Sequence, residues 1–146
     1  MSKGDCIVRD GCLKDWPRLI ELLKATDLFW ETGDSEESFA KKIAHDPGSI
    51  IVLEWEDKII GMIVTVYDPW ASFIWHLAID PKFQGHGFGH LLAEEAENRL
   101  KARGTTSVNG YVVSTNRNSL TFLKKRGYSQ SPLNLVLVEK VFNKKE

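Results

Sequence analysis

Residues 74–90 read Ile74-Trp75-His76-Leu77-Ala78-Ile79-Asp80-Pro81-Lys82-Phe83-Gln84-Gly85-His86-Gly87-Phe88-Gly89-His90. A β-rich run from Ser72 to Ile79 is stopped by Asp80-Pro81 and passes into a loop with glycines at 85, 87 and 89. An amphipathic helix follows, with Phe88, Leu91, Leu92, Ala96 and Leu100 on one stripe. A helix start leaves amides without intrahelical partners at the positive end of the helix dipole. Glycines let that backbone come close to an anion, because no Cβ stands in the way. A strand, a glycine loop and a helix in this order therefore predict a bound phosphate or pyrophosphate. The dinucleotide fingerprint Gly-x-Gly-x-x-Gly fails, since its third glycine would fall at His90. The pattern Gly-x-x-x-x-Gly-Lys-Ser/Thr of nucleotide triphosphatases is absent too. What remains is Gln84-x-x-Gly87-x-Gly89.

Upstream, Ser49–Trp55 and Lys58–Tyr67 are two β-rich runs joined by Glu56-Asp57, the pattern of a hairpin. Before them, Asp15 precedes Pro17 and the periodic apolar residues Trp16, Leu19, Ile20, Leu22 and Leu23, which predicts a helix. A second helix is expected over Ser35–Ala44, and Cys6–Arg9 is a short strand candidate. Between the helices, Asp27, Glu31, Asp34, Glu36 and Glu37 fall within eleven residues that hold no Lys or Arg. Downstream, Arg103-Gly104 ends the long helix. Strands are then expected at Ser107–Val113 and Leu133–Val141, with a short helix at Ser119–Lys125 between them. Strands and helices alternate without a strict βαβ repeat, which predicts an α/β (α+β) domain with a mixed sheet.

The whole chain has 146 residues and a net charge of −1. That length suits one domain over 1–146, with 142–146 as a polar tail. Near-zero charge argues against nucleic acid as a partner. The longest nearly unbroken apolar run, Ile59–Tyr67, is too short to span a membrane. Cys6 and Cys12 have neither a Cys-x-x-Cys spacing nor a nearby histidine, so two free thiols and no metal site are expected. With no secretory signal at the N-terminus, the expected location is cytoplasmic.

Gln84-x-x-Gly87-x-Gly89, preceded by Leu77-Ala78-Ile79-Asp80-Pro81, resembles the signature of the GCN5-related N-acetyltransferase (GNAT) family. That signature, Arg/Gln-x-x-Gly-x-Gly/Ala, lies between the fourth strand and the third helix. The family's downstream pattern Asn-x-x-Ala-x-x-Phe-Tyr-x-x-x-Gly-Phe/Tyr is matched by Asn116, Phe122, Gly127 and Tyr128, with Ser119 for alanine and Leu123 for tyrosine. The resemblance implies a mixed, mostly antiparallel central sheet of roughly six to seven strands flanked by about four helices. It implies acetyl-coenzyme A (acetyl-CoA) as acetyl donor and a primary amine as acceptor, in a protein that is a monomer or a homodimer. Backbone amides of His86, Gly87, Phe88 and Gly89, with Gly85 in the turn, would hold the pyrophosphate, and Gln84 would brace the loop. Main-chain groups of Leu77, Ala78 and Ile79, together with Asn116 and Phe122, would meet the pantetheine arm.

The resemblance also assigns an amide, at Ile79 or Ala78, to the thioester carbonyl. His76 lies on the same strand, titrates near ~6.5 when unperturbed, and is the candidate base. Leu123 removes the family's usual general acid, which leaves water, Tyr111 or Tyr128, or no acid at all. A catalytically idle acyl-CoA-binding module is the alternative that this departure raises. Acceptors of the family bind under the loop between the first two helices. Here that loop carries Leu28, Phe29, Trp30 and Glu31, and Trp70 and Trp75 are candidates for the same cleft. Acidic groups beside aromatics predict a positively charged amine.

Overall fold

The structure is a computed structural model that describes residues 3–133 and 135–142. The chain divides into two compact units, residues 1–111 and 112–146. The first holds a five-stranded sheet in the order β1 (Cys6–Asp10), β2 (Ile50–Trp55), β3 (Lys58–Val66), β4 (Ser72–Ile79), β5 (Val108–Gly110). All neighbours pair antiparallel except β4 and β5, which run parallel. Helices α1 (Trp16–Ala25) and α2 (Glu36–His45) follow β1, and α3 (Phe88–Ala102) links β4 to β5.

Local signals explain these elements. Glu56 and Asp57 take φ of 48° and 62° and close the β2–β3 hairpin, as the right-handed twist of paired strands favours. Ser35 caps α2, its hydroxyl accepting from the Ser38 amide at 3.0 Å. Pro17 sits in the first turn of α1. Met62 and Val64 pack with Leu19, Leu22 and Leu23 of α1 and Phe39 of α2. The alternate residues of β3 face α3, where Leu92 closes on Gly61. Each fully buried leucine or isoleucine of these two layers contributes roughly 2 kcal/mol of transfer free energy.

The second unit contains α4 (Arg117–Lys125), which begins earlier than the helix expected at Ser119. Asn116 caps it, accepting from the Ser119 amide at 3.1 Å. Two sequence expectations are corrected. β5 has three residues, not the seven of Ser107–Val113. The described residues of the expected closing strand, 133 and 135–141, form no strand, and Leu135, Val136, Leu137 and Val138 are exposed. Among the described residues the sheet therefore has five strands instead of six to seven. An apolar β-branched run has the propensity for a strand, but a strand also needs a partner edge, which the pattern does not specify. Residue 134 and most of the expected polar tail lie outside the described residues.

Candidate functional site

The glycine loop is held at its base before its glycines begin. Asp80 accepts from the Lys82 amide at 3.0 Å and from Arg18 Nη2 at 2.7 Å, and Arg18 Nε donates to the Ile59 carbonyl at 2.9 Å. Burial pushes the Asp80 carboxyl up, but the Lys82 amide and Arg18 outweigh it and hold it below its ordinary value. Gln84 Nε2 donates to the Ile79 carbonyl at 2.9 Å and ties the loop to the end of β4. Gly85 and Gly87 both take left-handed φ, 80° and 82°, and Gly87 is the N-cap of α3. A Cβ at Gly85 would meet nothing within 4 Å, so it is backbone conformation rather than space that calls for glycine there. Phe88, 1% exposed, pins the first turn of α3 into the core. Helix geometry leaves the Phe88 and Gly89 amides without intrahelical acceptors beside an open loop. These features fit an incoming phosphate.

β5 accompanies β4 only over Ser72, Phe73 and Ile74. From Trp75 to Ile79 that edge of β4 has no strand partner among the described residues. Asp80 N–H donates back to Ile60 on β3 at 2.8 Å. Strand alternation therefore turns the Ile79 amide to the opposite, open edge. That edge can pair with an extended arm that leads from the loop.

The other half of the site is made of side chains. β3 and β4 lose register between Met62 and Val64, because Val64 pairs with Trp75 but Met62 pairs with Ala78. The extra residue is a β-bulge, with His76 at φ 50°. Consecutive strand residues normally point to opposite faces. Here the rings of Trp75 and His76 stack instead, with centroids 4.5 Å apart at 18°. His76 Nε2 lies 2.9 Å from both carboxylate oxygens of Asp34, and the two side chains are 11% and 10% exposed. Asp34 is held in turn, since it accepts from the Trp30 amide at 2.8 Å while its own amide donates to the Trp30 carbonyl at 2.8 Å. The Trp30 ring lies on the face of Gly33, so closely that a Cβ there would clash with it. Trp30 meets Trp75 edge-on at 6.0 Å. These groups wall a cavity of about 360 Å³ that Trp16 and one face of α2, Ser35, Ser38, Phe39 and Lys42, complete.

The structure brings His76, Trp75 and Trp30 to this cavity. It does not bring the other acceptor candidates there. Trp70 is 96% exposed, Glu31 is exposed, and Phe29 packs on the core with Lys24 Nζ 5.0 Å above its ring. The acidic cluster is dispersed, with Asp34 on His76 and Glu37 paired to Lys41. His86 is exposed on the loop. Asn116, Phe122 and Tyr128 lie in the second unit, where the Tyr128 amide donates to the Leu123 carbonyl at 3.0 Å. Sequence reasoning singled out Asp34 only as one acid of a cluster, and it missed Gly33, Lys42 and the bulge. Among the described residues no group of three or more His, Cys, Asp or Glu side chains is placed to hold a metal ion, and no helix is long and apolar enough to cross a membrane.

A glycine loop opening a helix, beside a strand edge released by its neighbour, suits a ligand with a phosphate group and an extended arm. Residues 16–128 match the model of the acetyltransferase (GNAT) family, so the chain belongs to that family. It is an acyltransferase, and its acetyl donor is acetyl-CoA. A relative named acetyltransferase, from Yersinia pestis (strain Pestoides F), is 29% identical over 114 residues, which cover 78% of this chain and 81% of that one. The fold is similar to the PaiA N-acetyltransferase of Thermoplasma acidophilum, solved with coenzyme A, at a TM-score of 0.80 and 19% identity over 92% of this chain and 94% of that one. It is also similar to the ribosomal-protein-S18-alanine N-acetyltransferase of Escherichia coli, at a TM-score of 0.72 and 19% identity, over 86% of this chain and 79% of that one.

Proposed function

We propose that the enzyme acetylates a primary amine seated in the cavity beneath the α1–α2 loop, with His76 as the base and Asp34 as the residue that positions it. The observation that carries this is the His76–Asp34 pair on the cavity wall, with His76 on the stretch of β4 that β5 leaves unpaired. Acetyl-CoA supplies an acetyl thioester. The amides of His86, Gly87, Phe88 and Gly89 hold its pyrophosphate, and the open edge at Leu77–Ile79 aligns its arm. The Ile79 amide donates to the thioester carbonyl, where charge develops as the amine attacks. His76 accepts the proton that the amine nitrogen loses as the new C–N bond forms and the C–S bond breaks. Asp34 fixes the imidazole orientation through its contact with Nε2. A thiol with pKa ~8.5 departs tolerably without an acid, so leucine at position 123 costs the reaction little.

We infer a cytoplasmic activity, which is supported by Cys6 and Cys12 forming no disulfide. The test is release of coenzyme A thiol from acetyl-CoA across a panel of primary amines, with the products identified by mass. Thiol release that depends on the amine, with the acetyl group on nitrogen, is expected. Release at the same rate without any amine contradicts the proposal.

A further inference from the structure

The α2 face that lines the cavity ends in a cation. Ser35, Ser38, Phe39 and Lys42 are spaced as one helix face, and all four line the cavity. Lys42 is half-buried and has no hydrogen-bond or ion-pair partner among the described residues. The acid whose charge acts on it, Asp46, is already taken by Arg103, which donates to both carboxylate oxygens at 3.0 and 2.9 Å. Burial pushes the Lys42 ammonium below its ordinary value, as an unpaired cation in a recess requires. Trp75, on another wall, has an indole N–H that is buried without an acceptor. The one carboxylate of the cavity, Asp34, is used by His76 and the Trp30 amide. The cavity wall thus holds a cation, Lys42, with no lining anion free to meet it. At about 360 Å³ it stands at the small end of ligand pockets.

We propose that the acceptor is a free amino acid with an apolar or aromatic side chain, its amine at His76, its carboxylate on Lys42 and its side chain among Trp16, Trp30 and Phe39. This rests on the function proposed above and names the substrate class of the same cavity. It replaces the expectation of a purely cationic amine, because the acids that suggested one are dispersed.

The test uses the full chain with coenzyme A bound, so that no turnover occurs. L-phenylalanine, phenylalaninamide and phenethylamine are titrated while tryptophan fluorescence is followed, since three tryptophans line the cavity. Phenylalanine should bind roughly tenfold or more tighter than the two probes without a carboxylate. In Lys42→Met that ratio should fall toward one. Lys41→Met, which removes an exposed lysine paired to Glu37 on the same helix, should keep it. The proposal is overturned if phenylalanine does not bind, if the amide binds as tightly, or if the ratio survives Lys42→Met. Calorimetry with coenzyme A separates the two levels. Binding of the cofactor without carboxylate preference removes only this inference, whereas failure to bind it also removes the function proposed for the cavity.

Discussion

The turn from Gln84 to Gly89 and the wall formed by Asp34, Trp75 and His76 adjoin the same strand, but they are built from different material. The turn offers main-chain amides, oriented by two left-handed glycines and a helix start. The wall offers side chains, aimed by a bulge and by a carboxylate from a segment 42 residues away. Each suits its partner. A diphosphate is the same in every donor molecule and can be met by main-chain amides, which every residue but proline carries. An acceptor differs between enzymes of one fold and must be met by groups that evolution can exchange.

This contrast breaks first at His76. His76→Asn is the gentlest removal of the proposed base, because asparagine tolerates left-handed φ better than most residues. It should lower kcat roughly 10²- to 10⁴-fold and leave the KM for acetyl-CoA unchanged, as read by steady-state thiol release. A change confined to the acetyl-CoA KM would place His76 in the donor site instead. Gly87→Val probes the other region. A β-branched residue at φ 82° distorts the N-cap of α3. The KM for acetyl-CoA should rise roughly tenfold while that for the amine stays constant. Equal effects on both would mean that loop and wall are not separable.

Electrostatics sharpens the contrast further, since the wall leans on α1 and α1 starts on an ion pair. Asp15 receives two bonds from the Arg9 guanidinium, at 2.8 and 2.9 Å, and one from the Cys12 amide at 2.8 Å. Its hydrogen bond from Arg9 outweighs burial and holds its carboxyl at about 2, against an ordinary 3.8. A carboxyl depressed in the folded state contributes stability that is present above its unfolded value and lost as pH falls through its folded one. Asp15→Asn should therefore cost about 2 kcal/mol in chemical denaturation at pH 5 and much less at pH 2. The same cost at both pH values would show that Asp15 acts only through its hydrogen-bond geometry.

The loop was legible because its signals are local. Gln84, Gly87 and Gly89 stand in the sequence at the spacing that the backbone uses, and Asp80-Pro81 marks where the strand stops. The second helix, expected from Ser35, was legible for the same reason, since Ser35 caps it. The cavity was only half legible. His76 and Trp30 stood out as residue types, but the bulge that turns His76 toward Asp34 follows from strand register, which no short window contains. Trp70 looked like a companion to Trp75, but Asp68 turns the chain there and leaves it in solvent. Gly33 carried no signal, because its importance is the ring of Trp30 lying against it.

The central claim is that the donor is held by backbone and the chemistry is supplied by His76, separately. Calorimetric titration of acetyl-CoA into the wild type and into His76→Asn tests it most directly. The two proteins should bind with the same affinity. No heat from either protein at millimolar acetyl-CoA, or loss of binding in the variant alone, would contradict it.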